Sequence, residues 1–365
     1  MRILLISGSF PPMKCGVGDY TALLAGSLAA SGGITVGVLT GADTGKPAIP
    51  GVEMLPPVTG WRLGSLTELL RAVRSWQPDI VHLQYPAKGY GRAKMPLLLP
   101  LLLGRAGYGV VQTWHEPLGF LRRLRYLLPA LTRDALVVVE PDYSDLVPGW
   151  FRRLIEKKRI YRFIPVGANI PVACLDDSER ERRRRELAPD GSNIVAYFGF
   201  VAPPKGLESL FRIADPTVDR LVLICDLDPA DPYQRSILAL ADREPWRGRV
   251  VVTGYLAAPE VAELLAVADA AVFPFVTGAT SRNASVLAAR AQGTFVLTTS
   301  RRAGGFRPTE HSYYAVPGDL TEMRTALRRY CGSRSGSPAN IAWDGIAASH
   351  RQLYLDLLAI NAQEG

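Results

Sequence analysis

Short apolar runs alternate with stretches of helical spacing along this chain. In the first half the runs are "RILLIS", "ITVGVLT", "DIVHLQ", "YGVVQT", "ALVVVE" and "RIYRFIPV". Each is a short, nearly continuous apolar segment, the mark of a strand covered on both faces of a parallel sheet. Between them lie segments such as "DYTALLAGSLAASG" (19 to 32), with apolar residues at helical spacing and a terminal glycine as a stop. That alternation predicts a doubly wound α/β domain. The second half repeats it with "NIVAYF", "RLVLIC", "RVVVTG", "AAVFPF", "TFVLTT" and "YYAV", and with helical patterns such as "PEVAELLAVAD". A second doubly wound domain is expected there. From 167 to 191 the chain is rich in charge and bounded by Gly and Pro, which sets the boundary between the halves. The expected domains are 1–168 and 192–341, with 169–191 as a linker. The last segment, 342–365, shows helical periodicity through Ile346, Leu353, Leu357 and Leu358 and predicts a long terminal helix.

Composition narrows the classes. The 365 residues, 48% of them hydrophobic, suffice for two ordinary cores. The net charge of +8 favours anionic partners, without choosing among nucleotides, phosphates and acidic lipid surfaces. Cys15, Cys174, Cys225 and Cys331 form no CxxC pair, so neither a zinc knuckle nor a small disulfide framework is indicated. A reducing cytoplasm is the expected location. "MRILLISGSFPP" is too short in apolar residues for a signal peptide. "MPLLLPLLLG" is about half the roughly 20 residues of a membrane helix. "ERERRRREL" reads as a solvated linker helix rather than a nucleic-acid patch, since no aromatic residues interleave it.

Open α/β sheets bind ligands beyond the carboxyl ends of their strands, so the loops after the strands hold the candidate chemistry. Four of them stand out. In "SGSFPPMKCGVGDY", Gly16 and Gly18 sit just before an expected helix whose first amides can face an anion; a plain tight turn is the alternative. In "FGFVAPPKGLESL", Gly199 permits an unusual turn, prolines stiffen it, and Lys205 can reach a phosphate as a point charge. An exposed lysine in a turn would look the same. "TWHEPL" puts His115 and Glu116 at a strand end, where they could position a substrate hydroxyl, and Trp114 could offer a stacking face to a sugar. A structural histidine is the other reading. In "FPFVTGATSRNASVLAARAQG", Ser281, Asn283 and Ser285 suit a helix start from about residue 282, and Arg282 could join its free amides in holding an anion.

Taken in order, these motifs resemble a GT-B glycosyltransferase of the large retaining family 4, over nearly the whole chain. "SGSFPPMKCGVGDYTALLAGSLAASG" resembles that family's opening, "PDIVHLQYP" its mid-domain strand and "TWHE" its Thr-x-His motif. "FIPVGANIP" is similar to its crossover loop, "FGFVAPPKGLESL" to its Gly-Arg-x-x-x-x-Lys-Gly turn, and "VVTGYLAAPEVAELLAVADAAVFPF" to its base-binding region. "VLAARAQGTFVLTT" resembles the helix and strand after the donor loop, and "AWDGIAASHRQLYLDLL" the helix that crosses back to the first domain. The resemblance implies two Rossmann-like domains with an interdomain cleft. It implies a nucleoside-diphosphate sugar as donor substrate, retention of anomeric configuration, and no metal, cofactor or nucleic acid. It would place Lys205 on the donor diphosphate and His115 beside the donor sugar. Gly16 and Val17 would lie near the same phosphates, as would Gly199 and Phe200, and Gly254, Tyr255 and Leu256 at the base. Amides around Asn283, Ala284 and Ser285 would cap the phosphates. Tyr20, Tyr85, Trp114 and Glu116 are the acceptor-side candidates.

Two departures from that pattern stand in this chain. Phe200 occupies the position of the family's arginine, and Thr280 and Ala288 the positions of its two glutamates. The expectation is that Arg282 supplies the missing phosphate charge, and that Thr280 or Ser281 touches the sugar, so Lys205, Arg282 and His115 form the catalytic set. The same losses leave open a protein of this fold that binds a nucleotide sugar without turnover. A nicotinamide-dependent oxidoreductase is a third reading, but the GxGxxG fingerprint is absent. "GFLRRLRYLLPALTRD" (119 to 134) mixes arginine with large apolar residues, as a core helix or a membrane-surface helix would; the second reading would bring a membrane-proximal acceptor.

Overall fold

The computed structural model describes residues 1–42, 48–116, 124–335 and 343–364. The chain divides into two units, residues 1–167 with 341–365, and residues 168–340.

In the first unit the strands are β1 (Arg2–Ile6), β2 (Thr35–Leu39), β3 (Val52–Met54), β4 (Ile80–Tyr85), β5 (Gly109–Trp114), β6 (Ala135–Val138) and β7 (Ile160–Phe163). They form one parallel sheet in the order β3-β2-β1-β4-β5-β6-β7. Helices α1 (Gly16–Ala30), α2 (Leu66–Trp76), α3 (Met95–Arg105), α4 (Leu127–Leu131) and α5 (Gly149–Ile155) connect them. The greasy run "MPLLLPLLLG" is α3, with Met95, Leu99 and Leu103 buried in the core. Among the described residues no helix is long and apolar enough to cross a membrane. Of the arginine-rich stretch 119–134, residues 119–123 lie outside the described residues. The carboxy-terminal helix, Trp343–Glu364, belongs to this unit and packs along α1.

The second unit repeats the plan. Its sheet runs β10 (Val250–Val252), β9 (Asp219–Ile224), β8 (Asn193–Phe198), β11 (Ala270–Phe273), β12 (Val296–Thr299), β14 (Ser312–Ala315) and β13 (Gly305–Arg307). Its helices are α6 (Asp177–Leu187), α7 (Leu210–Ile213), α8 (Pro232–Ala241), α9 (Ala258–Val267), α10 (Ala284–Ala291) and α11 (Leu320–Tyr330). Two strands were not foreseen, β3 and β13, each of three residues and too short to show a pattern. β13 is antiparallel to β14, with Phe306 opposite Tyr313, so the sheet is not wholly parallel. The segment expected as a linker falls in the second unit. Its helix α6 starts on a reciprocal cap between Asp176 and Glu179, then uses its arginines on that unit: Arg184 forks onto Asp269 at 2.9 and 3.0 Å, and Arg183 reaches Glu263 at 2.7 Å.

In both sheets chain order reverses beside the first strand, between β1 and β4 and between β8 and β11. Loops leaving such a pair of strands diverge to opposite faces and leave a crevice at the carboxyl ends, the usual ligand position in this architecture.

Candidate functional site

The second unit's crevice is walled by the loops after β8 and β11. Strand β8 ends at Gly199, whose φ of +131° suits glycine, and the chain then turns through a short 3-10 segment, Pro203–Lys205. Gly206 follows at φ +65°, so close to the neighbouring loop that a Cβ there would sit 2.3 Å from the Pro274 carbonyl oxygen. The Val276 amide donates to the Pro204 carbonyl at 3.1 Å, tying the two loops together. Lys205 is thereby half-buried with its ammonium 4.6 Å above the Phe275 ring. Burial, and secondarily the Arg282 guanidinium, hold its pKa below the usual lysine value. Two cations therefore share one crevice.

The loop after β11 leads into α10, which begins at Ala284, two residues later than the sequence implied. Asn283 stands at the cap position but its side chain does not cap. Its Oδ1 instead accepts from the Thr280 amide at 2.6 Å and from the Thr280 hydroxyl at 3.2 Å. The first turn of α10 thus has no side-chain cap, and its amides keep the partial positive charge of a helix start. Thr280 and Ser281 are exposed, and Ser285 lies beside Gly199, where a Cβ would be 3.7 Å from the Ser285 Cβ. Phe200 is exposed too, and its carbonyl accepts from the Tyr197 hydroxyl at 3.0 Å. After β10, Gly254 takes φ +73°, Tyr255 is 76% exposed, and Leu256 leans on the core.

In the first unit the loop after β1 meets α1 at Gly16, an exposed position where a Cβ would touch nothing within 4 Å. Val17 packs partly on the core, and the Asp19 carboxyl is pushed up to about 6 by burial. His115, just past β5, is buried. Its Nε2 lies 2.8 Å from Gln84 Oε1 and its ring meets the edge of Tyr20 at 4.7 Å. Glu116 is half-buried, and its carbonyl accepts from the Tyr143 hydroxyl at 3.2 Å. The proposed acceptor role fails for three aromatic residues. Trp114 is 1% exposed and donates to Gln112 Oε1 at 3.0 Å, so it has no face for a sugar. Tyr85 is 1% exposed and donates to the Pro96 carbonyl, and Tyr20 is 3% exposed with its hydroxyl on His350. All three are core residues whose polar tips are satisfied inside.

Two family profiles match this chain: Glycosyltransferase Family 4 over residues 15–147, and Glycosyl transferases group 1 over residues 192–332. A GDP-mannose-dependent alpha-mannosyltransferase of Mycobacterium tuberculosis is 26% identical over 374 residues, covering 94% of this chain and 93% of that protein. The chain is a GT-B glycosyltransferase of the family 4 type. The fold of this glycosyltransferase is shared with sucrose-phosphate synthase from Thermosynechococcus elongatus, at TM-score 0.75 and 19% identity over 99% of this chain and all of that one. It is also shared with Anabaena HepE, solved in complex with UDP and glucose, at TM-score 0.67 and 16% identity over 100% of this chain and 98% of that one. Within the enzyme, the departures from the family pattern have structural counterparts. Ala288 is fully buried in α10, where a carboxylate would be stranded without water, while Thr280 is tied to Asn283. Sequence reasoning missed Phe275, the ring beneath Lys205, and Gln84, the partner of His115. A glutamine inside the apolar run "DIVHLQ" was the available signal, because a buried polar side chain needs a partner.

Proposed function

We propose that this enzyme transfers mannose from GDP-mannose to an acceptor hydroxyl with retention of anomeric configuration. The observation that carries the donor class is the pairing of Lys205 and Arg282 at the second unit's switch point, against an uncapped helix start. Two neighbouring cations raise each other's energy, and a bound diphosphate relieves both. The choice of GDP-mannose rests on the mycobacterial relative, which matches over nearly the full length.

In this reading the bond between the anomeric carbon and the diphosphate breaks as the bond to the acceptor oxygen forms on the same face. The acceptor proton passes to the departing phosphate oxygen. Charge grows on the diphosphate, and Lys205, Arg282 and the α10 amides meet it already in place. Gly254 to Leu256 border the base, and Thr280 or Ser281 touches the sugar. No carboxylate pair is needed, unlike a glycosidase.

One observation favours a second reading, nucleotide-sugar binding without turnover: Phe200 and Ala288 stand where the family has charged side chains. A discontinuous assay for GDP released from GDP-mannose, with and without a panel of hexoside and polyol acceptors, separates the two. Acceptor-dependent GDP release with an α-linked product is expected. Saturable binding with no release under any condition would give the case to the second reading.

A further inference from the structure

Of the chain's four histidines, three lie buried in the first unit: His82, His115 and His350. Each is held by hydrogen bonds of its own, and ring contacts join them. His350 Nδ1 is 2.9 Å from the Ile346 carbonyl, which can only accept, so that nitrogen carries the proton. Burial holds the imidazole down to about 4, which keeps it neutral and leaves Nε2 as an acceptor. The Tyr20 hydroxyl, 3.2 Å away, must then donate to it. Tyr20 is clamped on its other sides by ring edges, His115 at 4.7 Å and Trp343 at 5.2 Å. Gln84 Oε1 lies 2.8 Å from His115 Nε2, and the Tyr85 carbonyl receives the His115 amide at 2.6 Å. His82 pins the same helix a turn further on, bonding Tyr354 and Thr113 at 2.7 Å each. The His115 ring is thus fixed between a glutamine of β4 and a tyrosine of α1. That tyrosine is oriented by the carboxy-terminal helix.

We propose that His350 is a positioning residue for His115: through the Tyr20 hydroxyl it sets the ring that walls the His115 imidazole. The inference rests on the glycosyl-transfer reading for what His115 does, but not for how it is held. A purely space-filling contact could be made by apolar side chains at 20 and 350. A donor-acceptor pair in their place fixes the rotation of the tyrosine as well as its position, and a hydrogen bond adds direction where packing alone adds only volume.

The test is long-range 1H–15N NMR of the histidine side chains in the full-length protein, in which four imidazoles give a resolvable set. Tyr20→Phe keeps the ring and removes only the hydroxyl, so it serves even if His350→Leu folds poorly; His350→Gln keeps an acceptor. Tyr20→Phe is expected to shift or broaden the His115 signals, and His350→Gln to leave them nearer the wild type. In parallel, kcat for GDP release should fall on the order of tenfold in Tyr20→Phe with KM little changed, as for a misplaced reacting group. His115 signals and kcat both unmoved in Tyr20→Phe, with only the unfolding temperature lowered, would overturn the proposal. A shift of His115 in a protein that turns over no nucleotide sugar would support the positioning while removing the transferase reading.

Discussion

Gly206 and Gly254 hold similar left-handed conformations, φ +65° and +73°, in very different surroundings. A Cβ on Gly206 would strike the Pro274 carbonyl oxygen at 2.3 Å, whereas one on Gly254 would meet nothing within 4 Å. Alanine at 254 should therefore cost about 1 kcal/mol of stability, the dihedral penalty alone. Alanine at 206 should cost clearly more and should move the Lys205 turn, which urea unfolding and nucleotide titration would show together. Equal costs would mean that the turn yields freely. Asp19 is the second residue with a sharp expectation. Its folded pKa of about 6 exceeds the unfolded 3.8, so the folded state holds the extra proton between those values and loses stability as pH rises through that window. Asp19→Asn removes the buried charge. It should gain on the order of 2 kcal/mol over the wild type at pH 7.5, with the gain vanishing near pH 4. A pH-independent difference would contradict the burial argument.

At the scale of elements, the carboxy-terminal helix is fastened by groups that must stay neutral. The folded pKa of His350 is about 4, below the ordinary 6.5, and His82 is held lower than usual by burial and by its neighbours His350 and His115. The unfolded chain then binds more protons, so this contribution is whole above pH 6.5 and is lost as pH falls through about 4. Wild-type unfolding free energy should fall steeply over that window, and His350→Leu should flatten the fall; parallel slopes would show that the histidine titrates elsewhere. Most of these elements were legible in the sequence. Twelve apolar runs were read as strands, and each contains one, because a strand covered on both faces has an almost purely apolar sequence. What escaped was whatever tertiary contacts decide. β3 and β13 exist through pairing with a neighbour. Lys158, just before the run "RIYRFIPV", is buried against Asp134, a pairing that no local pattern announces. Asn283 looks like a helix cap but spends its oxygen on Thr280. The candidate site shows the same limit: Trp114 and Tyr85 were named as acceptor-side candidates, yet both are buried, and burial at a strand end leaves no local signature.

Across the whole molecule, the same α/β plan appears twice, and in each unit a candidate loop leaves the strand beside which the order reverses. The division of labour differs. The second unit brings Lys205 and Arg282 near one another, whereas the first packs His115 against Gln84 and the edge of Tyr20. With a net charge of +8, part of any affinity for a diphosphate is general attraction that salt screens, so measurements belong near 0.15 M salt, where the screening length is about 8 Å. Calorimetric titration of GDP into the wild type and into Lys205→Met under those conditions is the most direct test of diphosphate capture. A saturable wild-type isotherm and an affinity lower by on the order of a hundredfold in the variant are expected, as for loss of a half-buried cation facing phosphate. Indistinguishable isotherms for the two proteins would contradict it.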